Sequence, residues 1–338
     1  MIPSLPLVIG HEWAVDLLKR CLDTNRLAHA YLFVGSPHIG KTTLALFLAQ
    51  AVNCLHPESK PCGTCIACRK IQRGLHPDVR VIDEEGGSIK INQIRELQSE
   101  ATLSPFEGQK RVYILCDFQN ATLEAANCLL KTLEEPPPRV MLILTATQAE
   151  LLLPTIVSRC QVLNLRPLAL DQVEQALQVH WGVEPRQARL LARLSGGRMG
   201  WAIAASRDEA LLLDREKYLL VLEQALGEKR IERMRLAQQL SQNPENLPGI
   251  LDLWQNWWRD LLLAKSGNAQ WMTNVDREQT VLHEVQHYTL GEIWACLRAT
   301  ERAAEYIEQN VTPRLALEVL LLSLPYRSMA SLEANHDE

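Results

Sequence analysis

Residues 35–42 read GSPHIGKT, and no other stretch of this 338-residue chain restricts its fold so tightly. Gly35 and Gly40 let the backbone curl around phosphate oxygens with no side chain in the way. The first N–H groups of a following helix then point at the anion. Lys41 has the reach for β and γ phosphates, and Thr42 can offer a hydroxyl to Mg²⁺. Ser36 and Thr43 add to the turn and the first helical turn, and no chemistry falls to His38 or Ile39. An apolar run, YLFV at 31–34, precedes the loop, and TLALFLAQAV at 43–52 follows it. Strand, glycine loop and helix form the context a nucleotide site needs, so a nucleoside triphosphate with Mg²⁺ is the expected ligand.

Just beyond that helix come Cys54, Cys62, Cys65 and Cys68. Three of these thiols belong to one turn-rich segment, PCGTCIAC, in which Gly63 helps the turn close. Four soft thiolates suit tetrahedral Zn²⁺ and leave no open position for catalysis, so the expected metal is structural. An iron–sulfur cluster is the other soft-ligand reading, although nothing else in the chain suggests redox work. Clustered cysteines beside a nucleotide loop fit a reducing cytosol better than a disulfide framework. Cys21, Cys128, Cys160 and Cys296 read as ordinary small residues.

Strand-like runs recur at Val79–Ile82, Val112–Leu115 and Val140–Thr145, with helical patterns at Ile91–Glu100 and Leu123–Glu134 between them. This alternation predicts an α/β domain with a largely parallel sheet covered on both faces. From about Arg166–Pro167 onward only amphipathic helical patterns are expected, with SGGRMG at 195–200 as punctuation. The predicted division is a nucleotide-binding domain over 1–165 with a zinc module at about 54–68, a helical domain over 166–207 and a second over 208–330. The tail SMASLEANHDE reads as frayed. The N-terminus MIPSLPLVIG has no signal-peptide pattern, and no apolar run is long enough to cross a membrane. A formal charge of −5 argues against a stand-alone nucleic-acid binder, though not against local or shared contact with DNA. No reading helix or basic stripe suggests base recognition.

RLAHAYLFVG (26–35), HPDVRVI (76–82), SIKINQIREL (88–97), LEAANCLLKTLEEPP (123–137) and PTIVSRC (154–160) together resemble the bacterial clamp-loader ATPases of DNA polymerase III. The resemblance is dense over about 8–165, thins in the next segment and is weak beyond it. It implies an AAA+ P-loop domain, an all-helical lid and an all-helical collar. WQNWWRDLLLAKSG (254–267) resembles the collar of the delta-prime branch. Such a subunit partners gamma/tau and delta, reaches the beta sliding clamp and primer–template DNA through the complex, and works in the cytoplasm with the replisome at the nucleoid.

The resemblance also assigns residues. Without gaps, Cys116 falls where a motor subunit has its Mg²⁺-binding Asp, and Asp117 falls at the catalytic Glu. A one-residue slip makes Asp117 the magnesium ligand and puts Phe118 at the base position. Either way the acidic pair is altered, and a thiol is a poor substitute for a hard oxygen ligand. Arg159 matches the arginine supplied in trans to a neighbour's ATP site, where a guanidinium fork suits a γ-phosphate. Read from sequence alone, the same arginine is a helix-end residue paired with a local carboxylate. Thr147 matches a γ-phosphate sensor, Gly200 stands where the lid has its arginine, and Ile9–Gly10 match the segment near adenine. Glu134 and Glu135 are assigned structural roles, and Trp13, Trp181, Trp201, Trp271 and Trp294 are expected to be packing residues. Trp254, Trp257 and Trp258 suit either a core or an interface.

The implied function is therefore a clamp-loader subunit with weak or absent hydrolysis at its own site. The alternatives are the gamma/tau-like motor of the same complex, an unrelated NTP-dependent kinase or helicase, and a zinc-stabilised interaction module. The DE pair a motor needs reads CD here, no acceptor or helicase motif is visible, and the intact Lys41–Thr42 pair argues against the last.

Overall fold

A computed structural model describes residues 8–57, 59–309 and 311–326. The tail from Ser328 and the first residues of the N-terminus lie outside these. The strands are β1 (Ala30–Val34), β2 (Val79–Ile82), β3 (Arg111–Leu115), β4 (Val140–Ala146) and β5 (Gln161–Asn164). They form one parallel sheet in the order β2-β3-β4-β1-β5. The sequence patterns anticipate the first four strands to within a residue or so. They miss β5, because of its four residues only Leu163 is buried, so its apolar signal is too sparse to read as a strand.

Helices α1 (Glu12–Asp23), α2 (Lys41–Asn53), α3 (Ile66–Gln72), α4 (Ile91–Ala101), α5 (Leu123–Glu134) and α6 (Pro154–Val157) connect and cover the sheet. Alternate side chains of each strand enter opposite cores. Tyr31 and Phe33 pack with Leu44 and Leu48 of α2, while Leu32 and Val34 join the side built with Ile94 and Leu97 of α4 and Leu129 of α5. β4 is buried along its whole length, as a central parallel strand should be. Because all five strands run the same way, the residues that follow β1, β3 and β4 emerge on one side of the sheet.

The remaining helices are α7 (Leu170–Trp181), α8 (Pro185–Ser195), α9 (Met199–Arg207), α10 (Glu209–Gly227), α11 (Arg230–Leu240), α12 (Leu247–Lys265), α13 (Glu278–Glu284), α14 (Leu290–Glu308) and α15 (Pro313–Ser323). Two compact units result. One takes the chain up to Ala176 together with Ser195–Trp201, and the other takes Leu177–Leu194 and the chain from Ala202. None of the described helices is long and apolar enough to cross a membrane.

The second unit's core is centred on α12. Trp254, Trp257 and Trp258 are all buried there, which settles their role as packing residues. Trp254 Nε1 donates to the Tyr218 carbonyl at 3.0 Å, and Trp258 meets Tyr288 edge to face. Burying each indole contributes roughly 4–6 kcal/mol of hydrophobic driving force. The expectation for the other tryptophans needs correction, since Trp13, Trp271 and Trp294 are about half exposed.

A buried guanidinium closes this unit. Arg233 is 4% exposed and donates to the carbonyls of Leu226, Glu228, Leu321, Leu324 and Pro325. One side chain thereby satisfies the C-terminal ends of both α10 and α15, whose last carbonyls lack helical partners. An Arg233→Met variant keeps the length but strands those carbonyls. It is expected to lose about 3–5 kcal/mol of stability, read as a lower urea midpoint of tryptophan fluorescence; an unchanged midpoint would reject this role.

Candidate functional site

The phosphate loop leaves the C-terminal end of β1 and enters α2. Gly40 has φ +109°, a left-handed value that favours glycine. At Gly35 space is the limit, since a Cβ there would stand 2.7 Å from the Leu165 carbonyl. Several of the loop's own carbonyls are engaged. Lys41 Nζ donates to those of Gly35 (2.8 Å) and Ser36 (3.2 Å), Gly200 N–H to that of His38 (2.8 Å), and buried His11 to that of Ile39 (3.0 Å). A carbonyl can only accept, so His11 carries its proton on Nε2. α2 has no side-chain N-cap bond, which leaves its first-turn N–H groups, at Lys41, Thr42 and Thr43, as donors for an anion. The loop therefore fits a phosphate.

Three glycines allow close packing around this site, and one of them, Gly200, meets the loop itself. A Cβ on Gly10 would fall 1.4 Å from Leu168 Cδ2, one on Gly197 2.3 Å from the Leu168 carbonyl, and one on Gly200 2.7 Å from the His38 carbonyl. An open cleft of about 470 Å³ lies alongside, lined by Gly10, His11, Trp13, Arg166, Leu168 and Gln172 among others. Half-exposed Trp13 therefore faces the cleft. Gly200 sits too close to the loop for any side chain, so the position matched to a lid arginine has no room for one here.

The acidic motif follows β3. Cys116 Sγ lies 3.8 Å from Thr42 Oγ1. Burial, with Asp83 beside it, pushes the Cys116 thiol up to about 12, so at neutral pH it is an uncharged S–H. Asp117 adopts a left-handed conformation (φ +45°), its N–H donates to Thr145 Oγ1 at 2.9 Å, and its carboxylate stands 3.8 Å from Lys41 Nζ. Burial lowers the Lys41 pKa from the usual lysine value, with Asp117 opposing the shift. Thr147 follows β4 and its N–H donates to Gln119 Oε1 at 3.3 Å. The sequence reading missed Thr145, the threonine that accepts from the Asp117 N–H. It sits inside an apolar strand and carries no motif of its own.

Arg159 lies on the turn between α6 and β5. Its Nη1 donates to the Thr155 carbonyl (2.9 Å) and to Ser158 Oγ (3.4 Å), and its Nη2 pairs with Glu134 Oε1 at 2.8 Å. Its side chain is 35% exposed. Among the described residues, none of these partners belongs to the chain's own phosphate loop.

The four cysteines converge. Cys54 caps the C-terminus of α2, Cys65 caps the N-terminus of α3, and all four Sγ atoms lie within 4.8 Å of one another. Tetrahedral zinc needs sulfur pairs about 3.8 Å apart, so a small contraction would satisfy it. Peptide N–H groups already point at the sulfurs, from His56 and Cys62 to Cys54, from Cys65 to Cys62, and from Cys68 to Cys65. Burial raises the Cys54 and Cys68 pKa values. Burial also pushes Cys62 upward, but the Cys65 N–H and the Thr64 hydroxyl outweigh it and hold that thiol down to about 6. The donor set fits a closed four-thiolate metal. α2 separates it from Lys41 by about 20 Å of helix, so a metal held there would be structural.

The β2-β3-β4-β1-β5 order, with a phosphate loop leaving β1, defines the AAA+ class of P-loop folds. A family model described as DNA polymerase III, delta subunit, matches residues 10–169. The DNA polymerase III subunit delta′ of Bacillus subtilis is 33% identical over 317 residues, covering 92% of this chain and 94% of that protein. The tau subunit of Escherichia coli is 35% identical over 210 residues, which is 60% of this chain but 32% of tau. The tau subunit of Bacillus subtilis is 26% identical over 94% of this chain and 60% of its own length. The chain belongs to the DNA polymerase III clamp-loader subunits, in the delta-prime branch.

Metal analysis of the purified protein is expected to find close to one zinc per chain, falling well below that in Cys65→Ser. Near-zero zinc in both proteins would reject the metal site.

Proposed function

We propose that this chain is a delta-prime-type subunit of the bacterial DNA polymerase III clamp loader. It places Arg159 in the ATPase site of a neighbouring gamma/tau subunit. It acts in the cytoplasm beside gamma/tau and delta, and reaches the beta clamp and primed DNA through the assembled loader. Residues 166–207 serve as the lid and 208–330 as the collar. The observation that carries the reading is the setting of Arg159. A guanidinium fork sits about one-third exposed on the turn between α6 and β5, with no bond to its own phosphate loop. That suits a guanidinium offered across an interface.

The chain's own site binds ATP through Gly35, Gly40, Lys41, Thr42 and Thr43, with Thr147 near the γ-phosphate, and hydrolyses it weakly or not at all. Cys116 supports this part of the reading. It lies against Thr42 where a magnesium ligand is needed, and as a neutral thiol it offers Mg²⁺ nothing comparable to a carboxylate. Asp117 faces Lys41 but is one methylene shorter than the Glu of a motor, and about 1 Å of misplacement costs roughly a hundredfold in a positioned reaction.

In a reconstituted loader with clamp and primed DNA, Arg159→Ala is expected to cut ATP turnover at least tenfold, and toward about 10³-fold if the arginine acts as a full trans-acting finger, with the complex still assembled. Unchanged turnover in an intact complex would remove Arg159 from the mechanism. For the own site, Cys116→Asp supplies the missing oxygen ligand. Titration of a fluorescent ATP analogue should show about tenfold tighter binding on adding Mg²⁺ to the variant and little change in the wild type. A wild-type protein that already responds tenfold would show that the thiol is no handicap.

A further inference from the structure

The Arg159 guanidinium is held on two sides by groups from separate elements. The Thr155 carbonyl of α6 takes Nη1 at 2.9 Å, and the Glu134 carboxylate at the end of α5 takes Nη2 at 2.8 Å. α5 is a firm base for that carboxylate. Its N-cap Thr122 accepts from Ala125 N–H, Ala125, Leu129 and Leu133 are buried, and His29, just before β1, bonds the Leu133 carbonyl at 3.2 Å. Glu134 therefore sits on a fixed helix end, while its carboxylate remains about half exposed. A free arginine on a surface turn samples many rotamers, and ordering it costs free energy when it docks. Five N–H donors allow a guanidinium to keep one carboxylate while another edge meets a phosphate.

We propose that Glu134 is a positioning residue for Arg159, holding the guanidinium in the rotamer that enters the neighbouring subunit's triphosphate site. This rests on the reading of Arg159 as the trans-acting arginine. It gives Glu134 a part in the partner's reaction without contact to the nucleotide. An exposed ion pair of this kind is a weak interaction, so the expected effect is modest.

The test is steady-state ATP turnover by the reconstituted loader with clamp and primed DNA. It compares wild type, Glu134→Ala, Glu134→Gln, Arg159→Ala and the Glu134→Ala/Arg159→Ala double variant, with assembly checked by gel filtration. Glu134→Ala is expected to lower kcat about three- to fivefold with KM for ATP unchanged. Glu134→Gln keeps an oxygen acceptor and should lose less. In the Arg159→Ala background, Glu134→Ala should have no further effect, a non-additivity that a general packing defect would not produce. If Arg159→Ala lowers turnover while both Glu134 variants leave it unchanged, the positioning role is overturned and the arginine reading stands. If removing Glu134 raises turnover, the carboxylate competes with the phosphate instead, and the proposal is equally overturned. If Arg159→Ala itself has no effect in an intact complex, both readings fail together.

Discussion

The nucleotide end of this protein depends on the pairing of β1 with two neighbours. β4 and β5 bond it on either side in register, and every one of its residues is buried. That fixes where Gly35 emerges and how the loop must turn. The next pairing along, of β3 with β4, brings Thr145 beside Asp117, which follows β3. Leu165, just past β5, closes in behind Gly35. The site is built less by the loop motif than by the sheet that delivers three strand ends to one place. The loop then needs its carbonyls held so that its N–H groups face the anion; Lys41 does this from within the loop, and His11 and Gly200 from segments far apart in the chain.

On the proposed reading, one chain contains a complete phosphate cradle and an incomplete catalytic centre. The physical basis is the difference between binding and turnover. Binding a triphosphate needs donors and a cation, and those are present in the loop, α2 and Lys41. Turnover also needs a hard ligand for the metal and a placed base, and here β3 ends in a thiol that burial keeps neutral. Losing those groups costs the fold little, because the sheet and the loop do not depend on them. An arginine offered outward costs little too. Its exposed ion pair adds at most a small increment to stability, so its position is free to answer to a neighbour.

What could be read from the sequence was what is local. GSPHIGKT and the four cysteines each carry their chemistry within a short span, and both assemble in the structure as their spacing suggests. The first four strands were legible because each is a compact apolar run. β5 was not, since Gln161 and Asn164 are polar and exposed, Val162 is only partly buried and Leu163 alone is fully buried. The aromatic triplet on α12 could not be assigned to core or interface, because a helical face looks the same from sequence whichever surface covers it. Trp13, Trp271 and Trp294 were misjudged for the same reason. The contacts that shape the site are long-range: Gly200 with His38, His11 with Ile39, Glu134 with Arg159. Periodicity and motif spacing do not encode such pairs, so only the fold reveals them.

The long-range contacts also explain why the metal module and the nucleotide loop can sit on one helix without interfering. α2 runs from Lys41 at the phosphate end to Asn53 beside Cys54 at the metal end. Its far end is tied independently of the loop. Gln50 Nε2 bonds the Cys68 carbonyl, and Asn53 Oδ1 accepts from Gln109 and Lys110 ahead of β3. Asp78, ahead of β2, gathers the N–H groups of Phe106, Glu107 and Gly108 in the same loop. The metal end is thus anchored to the β2–β3 edge of the sheet, while the phosphate end is anchored to β1 and its neighbours. A metal bound by the four thiolates would stiffen a small excursion that has few buried side chains of its own, and would leave the geometry at Lys41 to the strands. The two sites share a helix but answer to different halves of the same sheet.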